Sequence, residues 1–386
     1  MKHPIFTEVH ELFRQTMADF VRKELVPHAE EWERAQIFPR EVFERMAELG
    51  LLGVSYPKEY GGQGADYLTS VIESEELGKC GSMGLWMAVI DQTDMATPPI
   101  FQFGTEDQKR RYLVPAIQGK KIGAITISEP NAGSDVAAIE TRAKQDGKDW
   151  IINGRKTFIT NGTRADFFVT LTRTSHEEKR YAGMTVFIID KETPGFSVVR
   201  KLDKVGMRCS DTAEIAFDDC RVLGRNLLGE LGRGFYHIMW ELEGERIAGA
   251  AGEVGQAQVM LEIALQYAQD RKAFGGSLAD LQVIRHKLAD MATQLEAARQ
   301  LVYYAAWLKQ NGEPCTKEIA MARMMAADAA WLIADEAVQL HGGYGYILDT
   351  PIQRYWRDAR LHRVGAGSNE IMKEIIAARL IPRKKR

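Results

Sequence analysis

The chain has 386 residues, of which 45% are apolar and 27% charged, and its net charge is -3. This length predicts two or three domains, and the composition is typical of a soluble globular protein. The near-neutral charge argues against a nucleic-acid-binding or anionic-membrane surface.

The sequence also carries expectations about where the protein is located. No run reaches 18 apolar residues, so we expect no membrane insertion. The four cysteines form neither a CxxC pair nor a disulfide framework, which predicts a cytoplasmic location. The basic end RKKR is expected to be a solvated terminus.

Residues 1–121 are predicted to form an N-terminal α-helical domain. Val9, Phe13 and Met17 recur at helical spacing, and EVFERMAELGLL predicts another helix. Thr105 and Gln108 have the spacing of a capping box, which marks a helix start.

One stretch of this domain, MAVIDQTDMATPPI (87–100), combines a helical apolar pattern with two acids. Asp91 and Asp94 are three residues apart, so on a helix they share a face and repel each other. Either that face is in water, or a carboxylate is needed at a specific place.

Residues 122–232 are predicted to form a middle β-domain. The segments WIINGRKTFIT, FFVTLTRT, MTVFIID, FSVVRKL and AEIAFDD are short and rich in β-branched and aromatic residues. Asn-Gly, Asp-Gly and Pro-Gly turns separate them, which favours a small antiparallel sheet.

Residues 233–386 return to a helical pattern. No proline occurs between Phe235 and Glu313, and one turn, AFGGS, interrupts this long amphipathic stretch. Further helices are expected over 316–341 and after Ser368.

The common nucleotide, zinc and hydrolase motifs GxGxxG, GxxxxGK[ST], HExxH and GxSxG are absent. A set of polar, glycine-rich segments remains, each of which alone is more typical of a structural loop. They are ITISEPNAGSD (125–135), FITNG (158–162), KVGMRCSDT (204–212), DRKAFGGSLADLQ (270–282), QLHGGYGY (339–346) and GAGSNEIMKEIIAAR (365–379).

In this order, on a helix–sheet–helix layout, the segments resemble the acyl-CoA dehydrogenase family over nearly the whole chain. HELFR, VPHAEEWE, GLLGV and NEIMKEI are similar to the long-chain type. The resemblance implies an N-terminal helical domain, a middle β-barrel-like domain and a C-terminal four-helix bundle. It also implies bound FAD, an acyl-CoA substrate, an electron-transfer flavoprotein as acceptor, and a homotetramer.

Site residues follow from the same resemblance, position by position. Ile127, Ser128, Phe158 and Thr160 match the wall around the flavin ring, although the family often has Trp in place of Phe158. Hydroxyl donors such as Ser128 and Thr160 suit a reduced flavin. Ser134 and Arg246 match residues on the CoA side.

The remaining cofactor positions match the adenine and diphosphate end of FAD. Arg271, Phe274 and Gln282 match residues that hold the FAD of a neighbouring subunit, and an arginine can pair with pyrophosphate. The other matches are Gln339, Gly342, Gly343, Ser368 and Glu370.

The catalytic base is where the sequence departs from most members. They carry a glutamate in the last motif, where this chain has Ala366, whose backbone N–H can still face the thioester carbonyl. The long-chain and isovaleryl branches place the base before an arginine on the first C-terminal helix, which here is Glu245. Without the resemblance, Glu245 would be taken for a solvated acid beside Glu241 and Glu243.

Asp91 and Asp94 lie, by resemblance, on the helix that lines the acyl pocket. An unpaired buried carboxylate there costs several kcal/mol, which argues against a plain fatty-acyl tunnel. The pair is similar to the alicyclic branch, which acts on cyclohexane- or cyclohexene-carboxyl-CoA and uses a pocket aspartate as base. We expect the mutual repulsion of the two acids to raise at least one of their pKa values. Asp91 is the expected base, and Asp94, a candidate substrate-binding residue, is expected to tune that group or to cap the helix face.

Other functions stay open at this level. A long- or branched-chain acyl-CoA dehydrogenase and an acyl-CoA oxidase share the fold. A DNA-binding offshoot lacks support from the charge, and a flavin-binding subunit without chemistry would not need the retained acids.

Overall fold

The computed structural model describes residues 3–381, and the basic end RKKR lies outside this range. Helices come first along the chain. Their bounds are α1 Glu8–Phe20, α2 Ala29–Ala35, α3 Glu41–Glu48, α4 Tyr67–Leu77, α5 Met83–Ile90, α6 Thr97–Phe103, α7 Glu106–Gln108 and α8 Val114–Ile117. The predicted capping box is confirmed: Gln108 N–H donates to the Thr105 hydroxyl at 3.3 Å, and Thr105 N–H donates to Gln108 Oε1 at 3.0 Å.

The helix predicted over 87–100 is not one regular α-helix. Between α5 and α6 the backbone widens into a π-helical segment, Asp91–Ala96. The prediction that Asp91 and Asp94 share a helix face assumed α-helical spacing, so it does not hold here. Such π segments occur frequently at functional sites.

The middle of the chain forms an eight-stranded sheet in the order β6-β7-β3-β2-β4-β5-β8, with β1 on β4. The strands are β1 Gly123–Thr126, β2 Arg142–Asp146, β3 Asp149–Thr160, β4 Phe167–Arg173, β5 Met184–Asp190, β6 Phe196–Lys201, β7 Thr212–Val222 and β8 Leu227–Leu228. The five predicted strands are all present. The prediction of an antiparallel sheet is wrong in part, because β1 and β2 both pair with β4 in parallel.

The last part of the chain is helical. Its elements are α9 Gly234–Asp270, a small hairpin of β9 Lys272–Ala273 and β10 Gly276–Ser277, α10 Gln282–Gln310, α11 Thr316–His341, α12 Ile352–His362 and α13 Asn369–Leu380. The hairpin is the predicted AFGGS turn, and α11 has the expected bounds. Helix α12 was missed.

The C-terminal helices pack around α11. Helices α9 and α10 pack on α11 and on each other, and α12 and α13 each contact α11. Helix α4 crosses α9 so closely that a Cβ on Gly255 would lie 1.9 Å from the Glu75 carbonyl oxygen. This close contact joins the two helical parts of the chain and brings α5 and the π segment against α9.

The fold class is confirmed: helices, then a central sheet, then helices. The domain limits 1–121, 122–232 and 233–386 stay a prediction. Within residues 3–381, no helix combines the length and the apolar character that crossing a membrane requires.

Candidate active site

A cavity of about 1610 Å³ lies where α5, the sheet, α9 and the α12–α13 loop meet. We call it the main cavity. Nine of the predicted site residues line it: Asp91, Ile127, Ser128, Ser134, Phe158, Thr160, Glu245, Arg246 and Ala366.

Asp91 is the first residue of the π-helical segment, and its side chain is buried, with 2% exposed. Asn161 Nδ2 donates to Asp91 Oδ2 at 3.2 Å and to the Ala88 carbonyl at 2.8 Å, which fixes the carboxyl against α5. Burial raises the pKa of Asp91 well above its usual value, and the charge of Glu245 adds to that rise. Asp91 is therefore a weak acid that faces the cavity.

Asp94 does not join Asp91 at the cavity wall. It is half-buried, accepts a hydrogen bond from the Thr93 hydroxyl at 2.7 Å, and lies near Glu73 and Tyr67. Burial raises the pKa of Asp94 to about 6, with a further contribution from Glu245. Mutual repulsion between the two aspartates, the expected cause, is not the main one.

Glu245 lies on α9 and is buried, not solvated, with 6% exposed. Burial raises its pKa, although the positive charge of Arg246 opposes that effect. A carboxyl with a raised pKa that faces a cavity is a better proton acceptor near neutral pH than an ordinary glutamate. Asp91 and Glu245, two of the acids that line the cavity, thus have the environment of functional carboxyls.

Ala366 lies in the loop between α12 and α13 and has a φ of +57°. This left-handed conformation costs a non-glycine residue roughly 1–2 kcal/mol. Two buried arginines hold the loop: Arg246 Nε donates to the Ala366 carbonyl at 3.3 Å, and Arg323 Nη2 donates to the Gly365 carbonyl at 3.2 Å. The chain therefore keeps a strained backbone at Ala366, the position that carries no carboxyl group.

The sheet supplies the opposite wall. Lys156 Nζ donates to the Ile127 carbonyl at 2.8 Å, and Thr157 N–H donates to the Ser128 carbonyl at 3.0 Å. Strand β3 is irregular between Lys156 and Ile159, which turns Phe158 outward with a φ of +60° and 71% of its surface exposed. An exposed aromatic ring beside hydroxyl groups suits a flat ring system with polar edges.

A second cavity of about 500 Å³ brings together Arg271, Gly342 and Gly343. Phe274, at the nearby hairpin, has a φ of +54° and is 93% exposed. The other predicted positions line neither cavity. They are Gln282 at the start of α10, Gln339 near the end of α11, Ser368 at the N-cap of α13, and Glu370 on its first turn.

Several residues in or behind the wall of the main cavity were not predicted: Arg323 lines the cavity, whereas Asn161 and Glu241 are buried next to residues that do. Asn161, which holds Asp91, has a left-handed φ of +56°, and the Asn-Gly pair in FITNG was the available signal. Arg323 is a lone charge on the alanine-rich face of α11, where a cation is rarely buried without a partner. Glu241 is also buried, with 2% exposed, contrary to its expected place on a solvated face.

Three family models cover this chain: the acyl-CoA dehydrogenase N-terminal domain over residues 7–120, the middle domain over 124–220 and the C-terminal domain over 232–381. The chain belongs to the acyl-CoA dehydrogenase family. It is an oxidoreductase that acts on CH–CH groups.

Individual members are similar over nearly their whole length. The mitochondrial short-chain specific acyl-CoA dehydrogenase of Mus musculus is 42% identical, over 97% of this chain and 90% of that protein. The butyryl-CoA dehydrogenase structure from Megasphaera elsdenii is 38% identical, with a TM-score of 0.94 over 98% of this chain and 100% of that one. A chain in the electron transferring flavoprotein structure of Acidaminococcus fermentans is 39% identical, with a TM-score of 0.95 over 99% and 100%.

The cofactor of this acyl-CoA dehydrogenase is FAD, and the residues of the main cavity fit it. Phe158 offers an uncovered aromatic surface, and Ser128 and Thr160 add hydroxyl groups on the same wall. When bound there, FAD supplies the acceptor for a hydride from the acyl group. The protein's own groups must orient the thioester and take the proton.

Proposed function

We propose that this enzyme dehydrogenates a compact alicyclic acyl-CoA, namely cyclohexene- or cyclohexane-carboxyl-CoA. The observation that carries the proposal is Asp91, a buried carboxyl at the main cavity with a raised pKa and an amide that fixes it. A fatty-acyl tunnel would gain nothing from such a group, since burying a carboxylate costs several kcal/mol unless it is compensated.

The two acids suit two different protons. In the saturated ring thioester the carbon alpha to the carbonyl still carries a proton, and Glu245 takes it. In the cyclohexene thioester the alpha carbon is already unsaturated, so the proton must leave a carbon further round the ring. Asp91 is the base for that step, because it lines the same cavity on a different element from Glu245.

The thioester carbonyl is oriented by the α12–α13 loop. The Ala366 backbone N–H donates to this oxygen, as the resemblance to the family implies, and stabilises negative charge that develops there. Arg246 and Arg323 support this role, since they bond the carbonyls of the loop and leave its N–H groups for the substrate. Ser134, at the exposed rim, and Arg246 serve the CoA moiety.

A straight short-chain acyl-CoA is the second candidate substrate. It is favoured by the similarity to short-chain and butyryl-CoA dehydrogenases at 42% and 38% identity. It does not account for Asp91, which is why we place the alicyclic substrate first.

For the partners, we propose an electron-transfer flavoprotein as acceptor and a homotetramer as the assembly. The similarity to a chain in an electron transferring flavoprotein structure supports the first. The homotetramer rests on Arg271, Gly342 and Gly343, which line the 500 Å³ cavity, and on Phe274, which is exposed beside that cavity. In a tetramer these groups, with Gln282, Gln339, Ser368 and Glu370, hold the adenine and diphosphate end of FAD. The cytoplasmic location remains part of the proposal.

The experiment is a substrate panel. Anaerobic enzyme is mixed with cyclohexene-carboxyl-CoA, cyclohexane-carboxyl-CoA, butyryl-CoA and a long-chain acyl-CoA, and bleaching of the flavin absorbance is followed. We expect the cyclic thioesters to bleach it faster at lower concentration. Bleaching by straight chains alone would contradict the proposed substrate. Oxygen consumption without another acceptor would identify an oxidase instead.

A further inference from the structure

Helix α9 carries a second buried acid one turn before Glu245. Glu241 is 2% exposed and lies four residues earlier, so the two side chains are neighbours on one helix face. Two adjacent carboxylates repel each other, and burial strengthens the repulsion. A helix that buries both needs a way to remove one of the charges.

The surroundings of Glu241 indicate that protonation of one carboxyl removes the charge. In the described residues, no N–H or hydroxyl group donates to either buried carboxyl oxygen of Glu241. An ionised carboxylate only accepts hydrogen bonds, whereas a protonated one can donate. Glu245 is the carboxyl one turn along the same buried helix face, and two carboxyls can bond each other only when one of them is protonated.

The charged groups around Glu241 and Glu245 decide which of the two carboxyls carries the proton. Arg246 on α9 and Arg323 on α11 act on Glu245 and favour its ionised form. Glu241 faces Glu245, Arg246 and, on the π-helical segment, Asp91. His237, one turn earlier on α9, is buried with Nδ1 unpaired and has a lowered pKa, which favours its neutral form.

We propose that Glu241 is a positioning residue that stays protonated and donates its O–H to the Glu245 carboxylate, which keeps Glu245 ionised and oriented as a base. Burial and the neighbouring Glu245 raise the pKa of Glu241 well above its usual value. The bond from Glu241 in turn lowers the pKa of Glu245 against the effect of burial. This inference rests on the role proposed for Glu245.

The test compares Glu241→Gln with Glu241→Leu. A glutamine amide can still donate to Glu245, whereas leucine cannot. We follow the rate of flavin bleaching by cyclohexane-carboxyl-CoA as a function of pH. In Glu241→Leu the acid limb of this profile should move up by about one pH unit or more, a roughly tenfold loss at lower pH. Glu241→Gln should keep the parent profile.

The matched control is Glu262→Leu, an exposed acid further along α9, which should leave the profile unchanged. Equal profiles for parent and Glu241→Leu, or equal shifts in both Glu241 variants, would overturn the proposal.

A second measurement does not depend on the leucine variant. Infrared spectra of the holoenzyme at neutral pH should contain the C=O stretch of a protonated carboxyl that disappears in Glu241→Gln. An unchanged carboxyl band would show Glu241 to be ionised and contradict the proposal.

Glu245→Gln separates this inference from the proposed function. If Glu245→Gln is fully active on the saturated ring thioester, Glu245 is not the base for the alpha proton, and that part of the proposed function is wrong. If Glu245→Gln is inactive but the Glu241 variants keep the parent profile, only the inference about Glu241 fails.

Discussion

At the scale of single residues, the site depends on carboxyls that the fold removes from water. Glu245 is the direct case: it is buried beside Arg246 and lines the main cavity. Replacing a general base typically lowers the rate by ~10²–10⁴-fold. We expect that loss for Glu245→Gln in flavin bleaching by cyclohexane-carboxyl-CoA, with the FAD retained. Glu262→Gln, which changes an exposed residue of α9, is the control and should react like the parent. Full activity of Glu245→Gln would show that Glu245 has only a structural role.

The pH dependence follows from Asp91. A carboxyl accepts a proton only when it is ionised, and burial raises the pKa of Asp91. With cyclohexene-carboxyl-CoA the bleaching rate should therefore rise with pH, and its acid limb should lie above the ordinary aspartate value of about 3.9. The measurement is the bleaching rate across the pH range in which FAD stays bound. A rate that stays constant down to about pH 4 would contradict an Asp91 base with a raised pKa.

At the scale of elements, the sheet wall depends on one buried ion pair. Lys156 is 0% exposed and bonds both the Ile127 carbonyl and Glu129 Oε1 at 2.8 Å. Lys156→Met leaves Glu129 buried without its cation, and breaking such a pair costs about 3–5 kcal/mol. We expect that loss in urea unfolding of the apoprotein, together with weaker FAD binding. Lys144→Met, on the exposed face of β2, is the control, and equal stability of both variants would contradict the assignment.

The elements also show how far the sequence could predict the structure. Alternating and helical apolar patterns located five of the eight strands of the sheet and the helices α10 and α11, because these patterns reflect burial of one face. Helix α12 was missed because charged residues such as Arg354 and Asp358 are buried in it, which the pattern treats as exposed. The parallel pairing of β1 with β4 depends on contacts between residues far apart in the chain, which a local pattern does not contain.

The site shows the same limit. Motif resemblance pointed to Asp91, Glu245 and Ala366, which the structure brings to one cavity. The repulsion expected between Asp91 and Asp94 depended on regular α-helical spacing, and the π-helical segment removes that spacing. Glu241 could not be recognised as buried, because a local sequence gives no sign of the distant residues that cover it.

At the scale of the whole molecule, the second cavity tests the assembly. Arg271 lies there with Gly342 and Gly343, away from the flavin wall of the main cavity. If it binds the diphosphate of a neighbouring subunit's FAD, Arg271→Glu should lower FAD occupancy through charge repulsion. The ratio of flavin to protein absorbance measures this, with light scattering for the assembly. Lys272→Glu, an exposed neighbour with the same charge change, should keep its FAD; full occupancy in Arg271→Glu, or an active monomer, would contradict the tetrameric site.

The most direct test of Asp91 as the base for the cyclic substrate is the rate of flavin bleaching in Asp91→Asn with cyclohexene-carboxyl-CoA. Asparagine keeps the shape of the side chain beside Asn161 but cannot take a proton. We predict a loss of ~10²–10⁴-fold with this substrate, with FAD still bound and with cyclohexane-carboxyl-CoA, whose proton Glu245 takes, much less affected. If the parent enzyme oxidises only straight-chain acyl-CoAs and Asp91→Asn equals it, Asp91 is a buried structural acid and the alicyclic assignment is wrong.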